Sequence, residues 1–180
     1  MRLFIALPLP DEALDAIGAL QARMPKGRMV DPDNIHLTLA FLGECDDTQV
    51  EAAHDALDGF RAPAVTTGLT GPAIYGGRHG QAVALEADAG APLFELHDRL
   101  RGRLRGAGLA PERRRFRPHV TLTRLPGRAD ASGCLQALLG VRLGPYLLDR
   151  VVLFSSVLHP DGAIHEPLLT CPLDEGAPGA

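Results

Sequence analysis

The sequence predicts a mixed strand-and-helix protein built from two similar halves, and three observations predict it. Short aliphatic runs with strand character alternate with longer stretches whose apolar residues recur at helical spacing. The order strand, helix, turn, strand occurs over residues 2–42 and again over about 82–125. Each repeat ends in the same signature, His36-Leu37-Thr38-Leu39 in the first and His119-Val120-Thr121-Leu122 in the second.

Taken in order, Arg2 to Leu7 reads as a buried strand, and Asp11 as the cap of a helix with a Leu14, Ile17, Leu20 and Met24 stripe. Met29-Val30 is a short strand, and the first motif strand runs from Ile35 to Leu42, closed by Gly43. Thr48 and Glu51 have capping-box spacing and open a second helix. Val65 to Ile74 and Ala82 to Ala87 are strands joined by the loop Gly76 to Gly80. A third helix follows Pro92, with Leu93, Leu96, Leu100 and Leu104 on one face. The second motif strand covers Pro118 to Leu125, Asp130 to Leu139 is a short helix, and Leu147 to Val157 is one strand. His159 to Gly162 is a turn, Ile164 to Cys171 the last strand, and Asp174 to Ala180 a frayed tail.

Composition bounds the function. At 180 residues with 46% apolar content, the chain supports a globular core, whereas 4% aromatics and no Trp leave little for an extended base-stacking platform. A net charge of −4 speaks against non-specific coating of nucleic acid. The charge is uneven, however: ten of the 17 arginines lie between Arg99 and Arg128, where Glu112 is the only acid. That window reads equally as a solvated helix face or as a phosphate-facing surface. Cys45, Cys134 and Cys171 form no Cys-x-x-Cys pair and fit a reducing cytoplasm. The apolar start is cut by Pro8 and Pro10, so it is read as a strand rather than a signal peptide, and no run is long enough to span a bilayer.

The paired signature carries the chemistry. On a strand, residues two apart share a face, so each copy presents an imidazole beside a hydroxyl while the intervening Leu37 or Val120 turns to a core. By composition, one copy is expected roughly 0.05 times by chance and two roughly 0.001 times, so the pair carries meaning that a single copy would not. Opposed strands would set two histidines and two threonines around one small anion, a layout suited to acid–base work on a phosphodiester. Thr38 and Thr121 can donate hydroxyl hydrogen bonds to phosphoryl oxygens. Arg117 lies nominally on the His119 face and is a candidate to bind the phosphate, whereas strict alternation puts Arg124 on the opposite one, so Arg124 must reach the cleft where the strand ends or twists. A metal is not expected, because no carboxylate sits in the motifs and no zinc-binding histidine spacing occurs. His54, His79, His97, His159 and His165 read as helix-face or loop residues, with His54 and His97 at the core edge.

At these residues the chain resembles the 2H phosphoesterase superfamily, and within it the RNA 2′,3′-cyclic phosphodiesterases, also known as 2′-5′ RNA ligases. The resemblance rests on Arg2 to Leu7, Asn34 to Gly43, Phe116 to Arg124 and the strand Ser155-Ser156-Val157-Leu158. Ile5 and Ser155 depart from the family's frequent Phe and Glu. The resemblance implies a single bilobal α+β domain over residues 1–180, with two mostly antiparallel sheets lining a central cleft and helices outside. It implies His36 as proton donor, His119 as the base that activates water, and Arg124 as the family's arginine. The implied reaction is metal-independent opening of RNA 2′,3′-cyclic phosphate ends to 2′-phosphates without a cofactor, reversible as 2′-5′ ligation. The implied enzyme is a cytoplasmic monomer. The alternatives are a phosphodiesterase for small cyclic nucleotides or 2′-5′ oligonucleotides, and a non-catalytic RNA-end binder.

Overall fold

The computed structural model describes residues 1–88, 90–159 and 162–174. Among these residues, nine strands form one sheet and four helices pack against it. Strand β1 (Arg2–Pro8) leads through Pro10 into helix α1 (Asp11–Gln21). Pro10, not Asp11, holds the cap position; Asp11 is already helical, and with Glu12 it places negative charge at the positive end of the helix dipole. A short β2 (Arg28–Met29) and a single 3-10 turn (Pro32–Asn34) precede β3 (His36–Glu44). Helix α2 (Asp47–Leu57) opens with a capping box made by Asp46 and Gln49, two residues before the expected pair. The spacing is the same, and just before the cap the Cys45 N–H donates to the Met1 carbonyl at 2.8 Å.

Strands β4 (Val65–Gly77) and β5 (Gly80–Asp88) form a hairpin turning at Arg78-His79, and α3 (Gly90–Gly106) follows. β6 (His119–Leu125) carries the second motif, and α4 is a short helix (Ser132–Leu138). The strand expected from Leu147 to Val157 is instead two, β7 (Arg142–Leu148) and β8 (Arg150–His159), separated at Asp149. β7 was hidden by its central Gly144-Pro145. It pairs only with β4 at the sheet edge, where a residue without an N–H can be accommodated. β9 (Gly162–Pro172) pairs with β8. Pro160 and Asp161 of the expected turn, and the tail from 175 to 180, lie outside the described residues.

The sheet order is β7-β4-β5-β6-β3-β1-β8-β9, with β2 added on β6, and every named strand pairing is antiparallel. The α+β class expected from the sequence is thus the observed one. The halves β7-β4-β5-β6 and β3-β1-β8-β9 meet through one register pair, Leu37 with Val120. The two expected sheets are therefore continuous at that point. Leu37, Leu39, Val120 and Leu122 join the helix residues Ile17, Leu57 and Leu100 in one hydrophobic core, which leaves the alternate residues of both motifs facing away from it. No helix among the described residues is long and apolar enough to cross a membrane.

Candidate active site

The Leu37–Val120 pair aligns the two signatures around a local two-fold relationship. Carried one residue either way, the antiparallel register sets His36 across from Thr121 and Thr38 across from His119. All four are partly exposed, whereas Leu37 and Val120 are fully buried. The four predicted motif residues thus come together at the junction of the halves.

Both motif strands then break their alternation in the same way. In β6, Thr121 pairs with Ala84 and Thr123 with Val83, so Leu122 is an extra residue. In β3, Thr38 pairs with Ala6 and Ala40 with Ile5, so Leu39 is extra. Each bulge shifts the side-chain parity by one residue. Arg124, which strict alternation sends to the opposite face, is thereby returned to the motif face, where its charge acts on His36, His119 and His165. Phe41, also five residues after its histidine, occupies the matching position in the other half. The β6 bulge is held from behind: the Leu122 carbonyl accepts from the Val30 N–H at 2.9 Å and from Gln21 Nε2 at 2.8 Å.

The two histidines sit in different surroundings. The ring of His119 stacks on Tyr75 with centroids 3.8 Å apart. Tyr75 donates its hydroxyl to Glu86 at 3.1 Å, and Arg117 bonds the same carboxylate at 3.2 Å while lying over the Tyr75 ring. His119 Nδ1 donates to the Arg117 carbonyl at 2.7 Å, which leaves Nε2 as the lone-pair nitrogen of the neutral ring. The Asn34 backbone, two residues before His36, favours the protonated form of that ring. Its other neighbours are Phe4 at 4.8 Å, Phe154 at 6.1 Å and His165 at 5.3 Å between ring centroids. Asn34 Nδ2 donates to the Ala163 carbonyl at 2.8 Å and so ties this histidine's approach to β9.

Burial and nearby positive charge keep both rings neutral. Burial, then His165, Arg124 and His119, lower the His36 pKa from 6.5 to about 3, against the opposing bond to Asn34. His119 is also lowered, by burial first and then by Arg117 and Arg124, with its carbonyl bond and Glu86 opposing. Arg124 is itself held below its usual value by burial and by neighbouring Arg28.

Arg117 lies beside His119, paired with Glu86 and over the Tyr75 ring. Some other expectations need correction. Two arginines of the rich window are engaged elsewhere: Arg99 donates to the Arg61 carbonyl, and Arg103 to the Ala56 and Asp58 carbonyls, fastening α3 to the end of α2. His165 is neither a helix-face nor a loop residue but lies on β9 beside His36, and His159 ends β8. His54 is exposed, whereas His97 is buried against Phe116 at 3.9 Å between centroids. Tyr75, Glu86 and His165 were not read as site residues. The only signal for them was strand pairing across the motifs, Glu86 with His119 above all. Among the described residues, no group of three or more His, Cys, Asp or Glu side chains could hold a metal ion.

Comparison with known proteins fits this geometry. The family model described as the 2′-5′ RNA ligase superfamily matches residues 9–158. The RNA 2′,3′-cyclic phosphodiesterase of Thermotoga maritima is 29% identical over 98% of this chain and 97% of its own length. That of Escherichia coli K12 is 33% identical over 68% of this chain and 71% of its own. The crystal structure of E. coli LigT complexed with 3′-AMP superposes with a TM-score of 0.75 at 28% identity, covering 97% of this chain and 98% of that one. TT0787 of Thermus thermophilus, at 23% identity, shares the fold with a TM-score of 0.77 over 98% of this chain and all of its own.

Proposed function

We propose that this chain, which belongs to the 2′-5′ RNA ligase superfamily, is an enzyme that opens 2′,3′-cyclic phosphates at RNA ends and leaves a 2′-phosphate. The observation that carries the reading is the junction of the two motif strands, which sets two neutral imidazoles and two hydroxyls on one face with Arg124 beside them. Relatives of matching length are RNA 2′,3′-cyclic phosphodiesterases, and one structural neighbour has been crystallised with 3′-AMP.

The chemistry needs a base for water, an acid for the departing ribose oxygen, and stabilisation of the phosphoryl charge. His119 suits the base, because its Nδ1–H is committed to a carbonyl and Nε2 keeps its lone pair. His36 is then the acid. Its surroundings disfavour the proton, and the negative charge of the bound phosphodiester favours it, so substrate binding restores the acid form. Thr38, Thr121 and Arg124 stabilise the non-bridging oxygens. The 3′-oxygen leaves with the proton of His36. These groups cover all three requirements without a metal. With the 5′-hydroxyl of a second RNA end in place of water, His119 takes the hydroxyl proton, the 3′-oxygen leaves with the proton of His36, and a 2′-5′ linkage joins the ends.

The same reading takes the protein to be a cytoplasmic monomer, consistent with three buried, unpaired thiols. Incubation with an RNA oligonucleotide ending in a 2′,3′-cyclic phosphate, in excess EDTA, tests the assignment. Loss of the cyclic end is expected. Absence of turnover by folded protein, with retained binding, would favour the RNA-end binder instead.

A further inference from the structure

A second basic feature adjoins the motif site and shares only Arg124 with the chemistry above. A cavity of about 680 Å³ runs from Arg124 along the turn of the β4–β5 hairpin, and its lining includes Arg28, Arg78, His79 and Gln81. It holds three guanidiniums and no carboxylate. Among the described residues, Arg28, Arg78 and Arg124 form no ion pair. Bringing like charges together without a counter-charge is unfavourable, so the arrangement fits an anion supplied from outside.

The cavity is built rather than incidental. Arg28 and Arg124 are register partners on β2 and β6. They meet because Gly27, at φ +109°, lets β2 lie directly on β6; a Cβ there would collide with Thr123 Oγ1. On the opposite wall, a Cβ on Gly127 would collide with the Arg78 carbonyl, so the glycine admits the hairpin turn against the end of β6. Gln81 fixes that wall by donating to the Ala129 carbonyl at 2.9 Å.

Resting on the proposed function, we infer that this cavity binds the phosphate on the 5′-oxygen of the nucleotide whose cyclic phosphate lies at the motif histidines. Arg124 stands between the two phosphates, and Arg28 and Arg78 serve the second. The ligand is a 5′-phosphate whether it is the internal phosphodiester of an RNA strand or the monoester of a free nucleotide.

The test compares kcat/KM for three substrates: a nucleoside 2′,3′-cyclic phosphate, its 5′-phosphorylated form, and a dinucleotide with the same cyclic end. The wild type is expected to favour one or both phosphate-bearing substrates by at least roughly tenfold, the range of one charge-assisted hydrogen bond. Preference for the dinucleotide identifies an RNA strand, and preference confined to the 5′-monophosphate identifies a free nucleotide. In the Arg28→Gln/Arg78→Gln double variant the preference is expected to fall to about unity. Both side chains are exposed, so the variant keeps the core intact. A wild-type ratio within twofold, or a ratio that survives both substitutions, overturns the inference while leaving the phosphodiesterase reading in place. If no cyclic phosphate is turned over, that reading fails instead, and calorimetric binding of a nucleoside 5′-phosphate against the bare nucleoside decides the cavity's role. Tighter binding of the phosphate form, lost in the double variant, supports it; equal binding refutes it.

Discussion

Leu37 and Val120 are register partners across the junction of the two half-sheets, and both are fully buried. That pair fixes the separation and phase of the two motifs, since His36 and Thr38 flank one member and His119 and Thr121 the other. Leu37→Ala should therefore cost about 2–5 kcal/mol of stability and also reduce kcat in the protein that remains folded. Denaturant titration and single-turnover rates on the same preparation check this. Normal kcat at reduced stability would show that the junction only holds the halves together.

Loss of either motif histidine should reduce turnover by at least roughly 10²-fold, the usual range for acid–base catalysis. The two losses should differ in kind. An aryl phosphodiester, whose leaving group needs no proton, should recover much of the rate in His36→Ala and little in His119→Ala. Equal recovery in both variants would contradict the division into acid and base.

Arg124 lowers the pKa of both motif histidines. Arg124→Ala should weaken catalysis by roughly 10–100-fold, as loss of a charged hydrogen bond to phosphate does. It should also move the limbs of the pH profile of kcat/KM upward, because removing a nearby positive charge favours the protonated imidazoles. A lower rate with unmoved limbs would place Arg124 away from the histidines. Gln21→Ala, which leaves the bulge carbonyl of Leu122 one donor short, should produce a smaller loss in the same direction.

His36, His97, His119 and His165 all have pKa values lowered in the folded state. The unfolded chain then binds protons first as the pH falls below about 6.5, so stability drops with acidification. For His36 the loss continues down to about pH 3. Urea unfolding at pH 7.5 and pH 5 should show the lower stability at pH 5, with a smaller difference in His36→Asn. Equal stability at the two values would remove the burial argument for these rings.

The sequence revealed the motif residues because a strand's period of two is rigid wherever alternation holds. It required Arg124 to leave strict alternation but could not say where, because a bulge is a one-residue change in pairing, visible only against β5. Tyr75 and Glu86 lie some forty and thirty residues before His119 and reach it through sheet order, which local pattern does not encode. β7 was missed because Gly144-Pro145 is a turn signal everywhere except at a sheet edge. The arginine-rich window stayed open between two readings because charge density along a chain does not say which face a helix shows; α3 spends Arg99 and Arg103 on carbonyl groups near α2. Two arginines of the basic cavity, Arg28 and Arg78, come from outside that window.

The most direct measurement of the central claim is the phosphate position on the product formed from an RNA ending in a 2′,3′-cyclic phosphate. A 2′-phosphate is predicted, with the 3′-oxygen leaving on the His36 side. A 3′-phosphate would reverse the leaving oxygen and contradict the assigned roles, and an unchanged cyclic end would contradict the reaction itself.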